Sequence, residues 1–284
     1  MPVFDRFRSV RVLAVIALTA MTTVGCALFG SSEDALTQAT RRGGLPVLRP
    51  ASDAIQLQVV FIERPADDSL ASQLVWQELD QIGALPPATR ALLIDHGFRV
   101  GQTGASPPPA LQTLLGLTEE ITSNDADEER LMRGRRMGLR SGQETELLTN
   151  DSVAQCQMKF LSNGQEDVLD YQQARCIFRL KPVRQQDGWV RLDFTPEVHH
   201  GDARMRPTPN DEGWALRGGQ KVDARHALKF SVTLSTGEFV VVGCDQSSKD
   251  TPGSRFFKRE TEKAGEVQRL LVVRVADAGV STAQ

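Results

Sequence analysis

The chain has 284 residues, 40% of them hydrophobic and 24% charged, with 33 basic and 36 acidic side chains and a formal net charge of −3. This balance argues against the broad basic field of a nucleic-acid binder, and an aromatic content of 6% argues against stacking platforms for single strands or sugars. The length suits one large or two ordinary domains, and two are expected.

Arg6, Arg8 and Arg11 precede an apolar run from Val12 to Gly25, and Cys26 follows it. The run falls short of the roughly 20 residues a spanning helix needs, and it suits the apolar segment of a secretory signal. The order Thr23-Val24-Gly25-Cys26 resembles the lipobox of bacterial lipoproteins, with Thr23 where leucine is usual. The resemblance implies loss of residues 1–25, lipidation of Cys26 and attachment to a membrane through its acyl chains. Ala27 stands where an aspartate would imply inner-membrane retention, so the outer membrane, facing the periplasm, is expected. An ordinary signal or an uncleaved anchor, with Cys26 incidental, is the alternative. Residues 26–52 carry GSSED, TRRGG and LRP without sustained periodicity and read as a flexible tether.

From Ile55 the pattern changes. Ile55, Leu57, Val59 and Phe61 recur at every second position, which predicts a strand ending at Arg64-Pro65. Asp67, Asp68 and Ser69 offer caps for a helix carrying Leu70, Leu74, Val75, Leu79 and Ile82, with Gly83 as its stop and Trp76 as a core aromatic. A second helix is expected from Pro86-Pro87 to Gly97, then a strand from Phe98 to Val100 and a short helix opened by Pro107-Pro108-Pro109. Residues 53–121 therefore read as a small β-α-α-β-like module. Residues 122–141 split into an acidic half, Asp125 to Glu129, and a basic half, Arg130 to Arg140, and lack the glycine and terminal glutamate of an EF-hand loop. A solvated charged connector is expected, with an anionic-surface patch as the alternative.

Residues 142–278 read as a mostly antiparallel β-domain, followed by a disordered tail at 279–284, so the fold class is α+β. Cys156 and Cys176 lie on the apolar faces of two strands, with Asn163-Gly164 between them, so folding back brings them near one another. In an oxidising compartment a Cys156–Cys176 disulfide is one expectation, and three buried thiols, Cys244 included, the other. Asp187-Gly188 turns the chain into the strand Val190 to Val198. Further strands are expected over 228–234, 238–242 and 267–276.

RLKPVRQQDGWVRLDFTPEV, then TGEFVVVG, then LLVVRVAD resemble the C-terminal β-domain of bacterial secretins, the outer-membrane family of type II and III secretion channels. Pro182, Asp187, Gly188, Pro196, Glu197, Val198, Gly237, Val240, Val241 and Gly243 occupy the matching places. The resemblance implies that family's β-topology over about 100 residues. Cys244 stands where a second glycine is usual, and the following segment is short and charged, so the topology is carried over and pore formation is not.

The chemical repertoire is thin. His199, His200 and Asp202 lie in an expected loop and are weak metal-ligand candidates, since adjacent side chains of an extended segment point apart. No phosphate loop, dinucleotide fingerprint, nucleophile elbow or zincin motif occurs, and no cofactor is expected. The sequence thus points to a non-enzymatic cell-envelope lipoprotein with a structural, assembly or secretion-accessory role. Its expected partners are the membrane through Cys26, envelope or secretion-system proteins or a second copy, and not nucleic acid. The alternatives are a metal-dependent hydrolase using the His199–Asp202 loop and an oligomeric secretin-like channel component.

Overall fold

Alternation of apolar and polar residues over Ile55–Pro65 gives strand β1, whose Ile55, Leu57 and Val59 are fully buried while Gln58 and Val60 look the other way. The computed structural model describes residues 53–116 and 132–279, apart from breaks at 163, 186–187, 211–212, 247–248 and 262–264. The signal segment, Cys26, the tether, the first half of the connector and tail residues 280–284 lie outside the described residues. After β1, a π-helical turn Leu70–Leu74 continues into α1 (Val75–Glu78), followed by α2 (Pro87–Asp95), β2 (Phe98–Thr103), α3 (Pro109–Leu114) and β3 (Met132–Leu139). Four long strands come next: β4 (Thr145–Ser162), β5 (Gln165–Arg184), β6 (Trp189–Asn210) and β7 (Gly213–Ala224). The chain closes with a 3-10 turn at His226–Leu228, β8 (Phe230–Ser235), β9 (Phe239–Cys244), α4 (Pro252–Phe257), β10 (Lys258–Thr261) and β11 (Gly265–Asp277).

These strands form two antiparallel sheets. The first runs β2-β9-β11-β1-β3 with β10 also on β11; the second runs β4-β5-β6-β7 with β8 also on β6. Inward side chains of both sheets share one core, in which Leu57, Val59, Val242 and Val273 meet Phe178, Leu192 and Phe194. Phe178 is fully buried and makes edge contacts with Phe98, Phe194, Phe230 and Phe256 at centroid distances of 5.8, 6.1, 6.1 and 5.2 Å. The outer face of the first sheet carries a second cluster, where Trp76, Leu79, Leu111 and Leu114 pack on Ile62, Val241, Leu270 and Val272. Being covered on both faces, β9 is buried at every position and reads as an unbroken apolar run rather than an alternating one. At Gly243 a Cβ would lie 2.7 Å from Trp76 Cζ2, so the glycine lets the indole rest on the sheet.

Several expectations are corrected. The boundary drawn between a module at 53–121 and a β-domain from 142 is crossed by both early strands: β1 pairs with β11, and β2 with β9. The described residues all belong to one unit, Ala51–Gln284. Part of the connector is the edge strand β3, with Leu139 opposite Ile55, so residues 132–139 belong to the sheet rather than to a solvated link. The first helix stops at Glu78, because Leu79 turns to extended backbone, and Ile82 is 77% exposed. The connection between β4 and β5 is a tight one from Ser162 to Gln165, with Gly164 at φ 77°. The charged stretch after Cys244 holds α4 and β10, and β7 had no expected counterpart.

Candidate functional site

The second sheet forks. β5 and β6 pair from Arg184 opposite Val190 down to Arg175 opposite His199, and beyond that point each stays with its own hairpin partner. Both hairpins bend at the fork. Gln173 in β5 has φ 50° and Gly201 in β6 has φ 75°, the left-handed region that marks a bulge. The ladders shift at the same level, between Asn150 and Val153 on β4 and between His200 and Arg204 on β6.

Side chains stitch the fork together. Gln220 Nε2 donates to the carbonyl oxygens of Gln173 and Gly201 at 2.7 and 2.9 Å, and its Oε1 accepts from Arg175 Nε at 2.7 Å. Tyr171 OH donates to Asp223 Oδ2 at 2.7 Å, and Arg225 Nη2 reaches that carboxylate and, at 2.5 Å, the Tyr171 oxygen. Burial and the Asp223 carboxylate push the Tyr171 hydroxyl well above its ordinary range, so it serves as a neutral donor. Arg225 also lies 4.0 Å over the Phe160 ring, tying β7 to the first hairpin. A recess of about 310 Å³ remains between the branches, lined among others by Gln172, Gln173, Gly201, Arg204 and Lys221.

The branches differ in support. The first hairpin lies on the body: Lys159 N–H donates to Asp250 O at 2.8 Å, and Leu161 N–H donates to His96 Nε2 at 3.1 Å. His96 is buried, and its Nδ1 lies 2.8 Å from Leu92 O, so Nδ1 carries the proton and the ring is neutral. The second hairpin, from 200 onward, has side chains at Asp202, Arg204 and Met205 that are mostly exposed. Among the described residues, no strand pairs with the outer edge of β7, and β6 beyond His200 pairs with β7 alone.

On the second sheet's outer face the β5–β6 ladder gathers an ion cluster. Arg179 grips Glu197 with Nε at 2.6 Å and Nη2 at 2.9 Å, and it reaches Glu146 at 3.3 Å and Glu144 at 3.5 Å. His199 Nε2 donates to Glu197 Oε2 at 2.9 Å, since an ionised carboxylate can only accept. Burial opposes ionisation of Glu197, but His199 and the Arg179 fork outweigh it and hold the carboxyl at about 2. Ligand atoms of Glu146, Glu197 and His199 lie within 4.8 Å of one another, the spacing of a cation site. The Arg179 guanidinium already supplies the positive charge these carboxylates require, and a metal ion would have to displace it from a two-point contact.

The expected metal candidates are therefore separated. His199 turns to Glu197, His200 stands edge-on to Tyr171 at 5.0 Å, and Asp202 is 65% exposed with only a 3.8 Å approach to Arg204. They do not lie in a loop, because β6 runs through them with Gly201 absorbing the bulge. The Cys156–Cys176 pair is not formed either. The tight β4–β5 turn sets a register in which Cys156 faces Tyr171 and Cys176 faces Asn150, and both are buried free thiols, as is Cys244. Burial raises all three thiols, Cys244 to about 12, which leaves them protonated and inert as nucleophiles. Gln220, Tyr171, Asp223 and Arg225 were missed in the sequence. Their only sequence-level signal is Gly201, a left-handed position inside a strand.

No family model matches the chain, and no curated protein matches it by sequence. Among solved structures, the type II secretin GspD from enteropathogenic Escherichia coli is similar over 85% of this chain and 73% of its own, at 11% identity and a TM-score of 0.23. This is a loose likeness and carries no assignment. Among the described residues, no helix is long and apolar enough to cross a membrane.

Proposed function

We propose that this chain is a non-enzymatic, membrane-tethered protein of the bacterial cell envelope whose folded part serves assembly, offering the β6–β7 ribbon to a strand of a partner protein or of a second copy. The observation that carries this reading is the ribbon beyond the fork. It leaves the body with β7 as an edge and, among the described residues, with no third strand beside it. A two-stranded ribbon is marginally stable alone in water, and an open row of N–H and C=O groups is a template for strand addition. The lipobox-like run ending at Cys26 supports the tether, which would hold the fork near a membrane surface.

Crosslinking in envelope fractions tests the ribbon. The full chain should give crosslinked species that vanish when residues 202–218 are replaced by an Asn-Gly turn, while the thermal midpoint of the body stays within about 4 °C, the shift that ~1 kcal/mol would cause. A full chain that stays monomeric and uncrosslinked sinks the reading. For the tether, Cys26→Ala should move the protein into the soluble fraction; undiminished membrane retention would refute lipidation at that residue.

A further inference from the structure

The outer face of the first sheet is covered by α1 and α3 over only part of its width. Where the helices stop, one cross-strand row sets Arg136 of β3 and Arg274 of β11 on either side of Gln58, both in register with it. The next row is Gly134, Val60 and Val272. With Leu115 and Phe239 these residues bound a pocket of about 310 Å³, within the range of small-ligand sites. Its floor is apolar: Val272 and Phe239 are 1% and 6% exposed, and Val60 packs against the second core cluster.

Among the described residues its rim carries positive charge and no carboxylate: Arg136 and Arg274 share its face of the sheet, while Arg135, opposite Val59, alternates to the other face. Arg274 stacks 5.3 Å over Phe239 and donates to Gln58 Oε1 and Gly237 O at 3.3 Å each, while Arg135 donates to Glu146 O at 3.0 Å. Arg136 is exposed and has no partner among the described residues. The larger cleft beside α4 behaves differently, since its cations are neutralised internally: Arg255 pairs with Asp250 at 2.6 Å, and Arg259 with Glu63 at 2.5 Å and Asp151 at 3.5 Å. At Gly134 a Cβ would rest in ordinary van der Waals contact with Val60 Cγ2 at 3.6 Å, so a branched side chain there would cover the apolar floor without a clash of its Cβ.

We infer that this pocket binds a single-chain aliphatic carboxylate, its head between Arg136 and Arg274 and its tail over Val60, Val272 and Phe239. Guanidinium groups suit a carboxylate's two oxygens, and the apolar floor rewards removal of methylenes from water. The inference is independent of the assembly role proposed above.

Photolabelling of the full chain tests it, using a diazirine-bearing dodecanoate and a diazirine-bearing dodecyltrimethylammonium of the same length, with labelled peptides mapped by mass spectrometry. The carboxylate should label peptides containing Val60, Leu115 or Val272, and the ammonium probe should not. Arg136→Gln and Arg274→Gln should each reduce labelling about tenfold, the loss of one charge-assisted contact. Gly134→Val should abolish labelling while circular dichroism and thermal unfolding stay unchanged, since a β-branched residue suits an edge strand. Equal labelling by both probes, labelling indifferent to all three substitutions, or no labelling would overturn the inference. So would labelling seen only after Asp125→Asn, Asp127→Asn, Glu128→Gln and Glu129→Gln together, which would make the chain's own acidic stretch the occupant.

Discussion

Gln173 and Gly201, one on each branch of the second sheet, both hold left-handed backbone, and both give their carbonyl oxygens to the same amide nitrogen, that of Gln220. A residue of β7 thereby fixes the angle at which its own hairpin leaves its neighbour. Gln220→Ala would leave both carbonyls and Arg175 Nε without this partner, at a cost of about 1–2 kcal/mol for a partly solvated site. Amide hydrogen exchange should quicken across 200–220 and stay unchanged in β1. Uniform protection after the substitution would show that the amide does not hold the fork.

Glu197 gives the fold an acid-sensitive joint. Burial disfavours its charge, yet His199 and Arg179 bring the carboxyl down to about 2 in the folded state, against about 4.3 for a glutamate in an unfolded chain. A depressed carboxyl stabilises the fold fully above the unfolded value and loses that contribution as pH falls from about 4.3 towards 2. Glu197→Gln should therefore lower stability at pH 7 by an amount on the order of 2 kcal/mol, with the gap closing towards pH 2. Urea unfolding of both forms at several pH values measures it, and a gap independent of pH would refute the ion cluster as its source.

Two glycines sit where another backbone or ring comes too close for a Cβ. At Gly253 in α4 a Cβ would lie 2.0 Å from Gly97 O, a backbone atom that cannot swing aside, and Gly253 N–H donates to His96 O at 2.9 Å. Gly253→Ala should destabilise by about 3 kcal/mol, the upper end for overpacking. Gly243→Ala collides with Trp76 instead, so it should be milder and should be partly rescued in the Gly243→Ala/Trp76→Phe double variant. Additive losses in that double variant would show that the indole is not the obstacle.

Alkylation of unreduced, denatured protein should modify Cys156, Cys176 and Cys244 alike, in keeping with three buried free thiols. In the native state the three should react slowly, because burial keeps them protonated. A mass two hydrogens lower, with Cys156 and Cys176 both blocked, would restore the Cys156–Cys176 pairing.

What could be read beforehand followed from how each strand is buried. β8, and β1 over Ile55–Val59, alternate because one face meets the core and the other is polar, and the runs of β9 and β11 are apolar because both faces are covered. α2 was visible from Pro86-Pro87 and from Gly97, which caps it at φ 78°. β7 was not, since none of its side chains over 218–224 is buried and no alternation is imposed there. β3 was hidden by Arg135 and Arg136, which suit an exposed edge; among its described side chains Met137 and Leu139 pack on the core. Arg179 and Glu197 meet diagonally across β5 and β6, a contact that exists only once the register is fixed. The cysteine pairing depends on register in the same way: the tight turn between Ser162 and Gln165 puts Tyr171, not Cys176, opposite Cys156.

The pairing of β1 with β11 sets a condition on how the protein is made. Gln56 lies opposite Asp277 and Pro65 opposite Val267, so the first described strand waits for the last. Until β11 is present, β1 and β9 each lack the neighbour between them, and β10 has no partner in the sheet. A chain emerging from its N-terminus, whether from the ribosome or through a membrane, would remain unfinished across its first sheet for over two hundred residues of synthesis. Such delayed closure favours passage through a translocation channel as an open polymer, and it makes loss of β11 fatal to folding rather than a trimming of one edge.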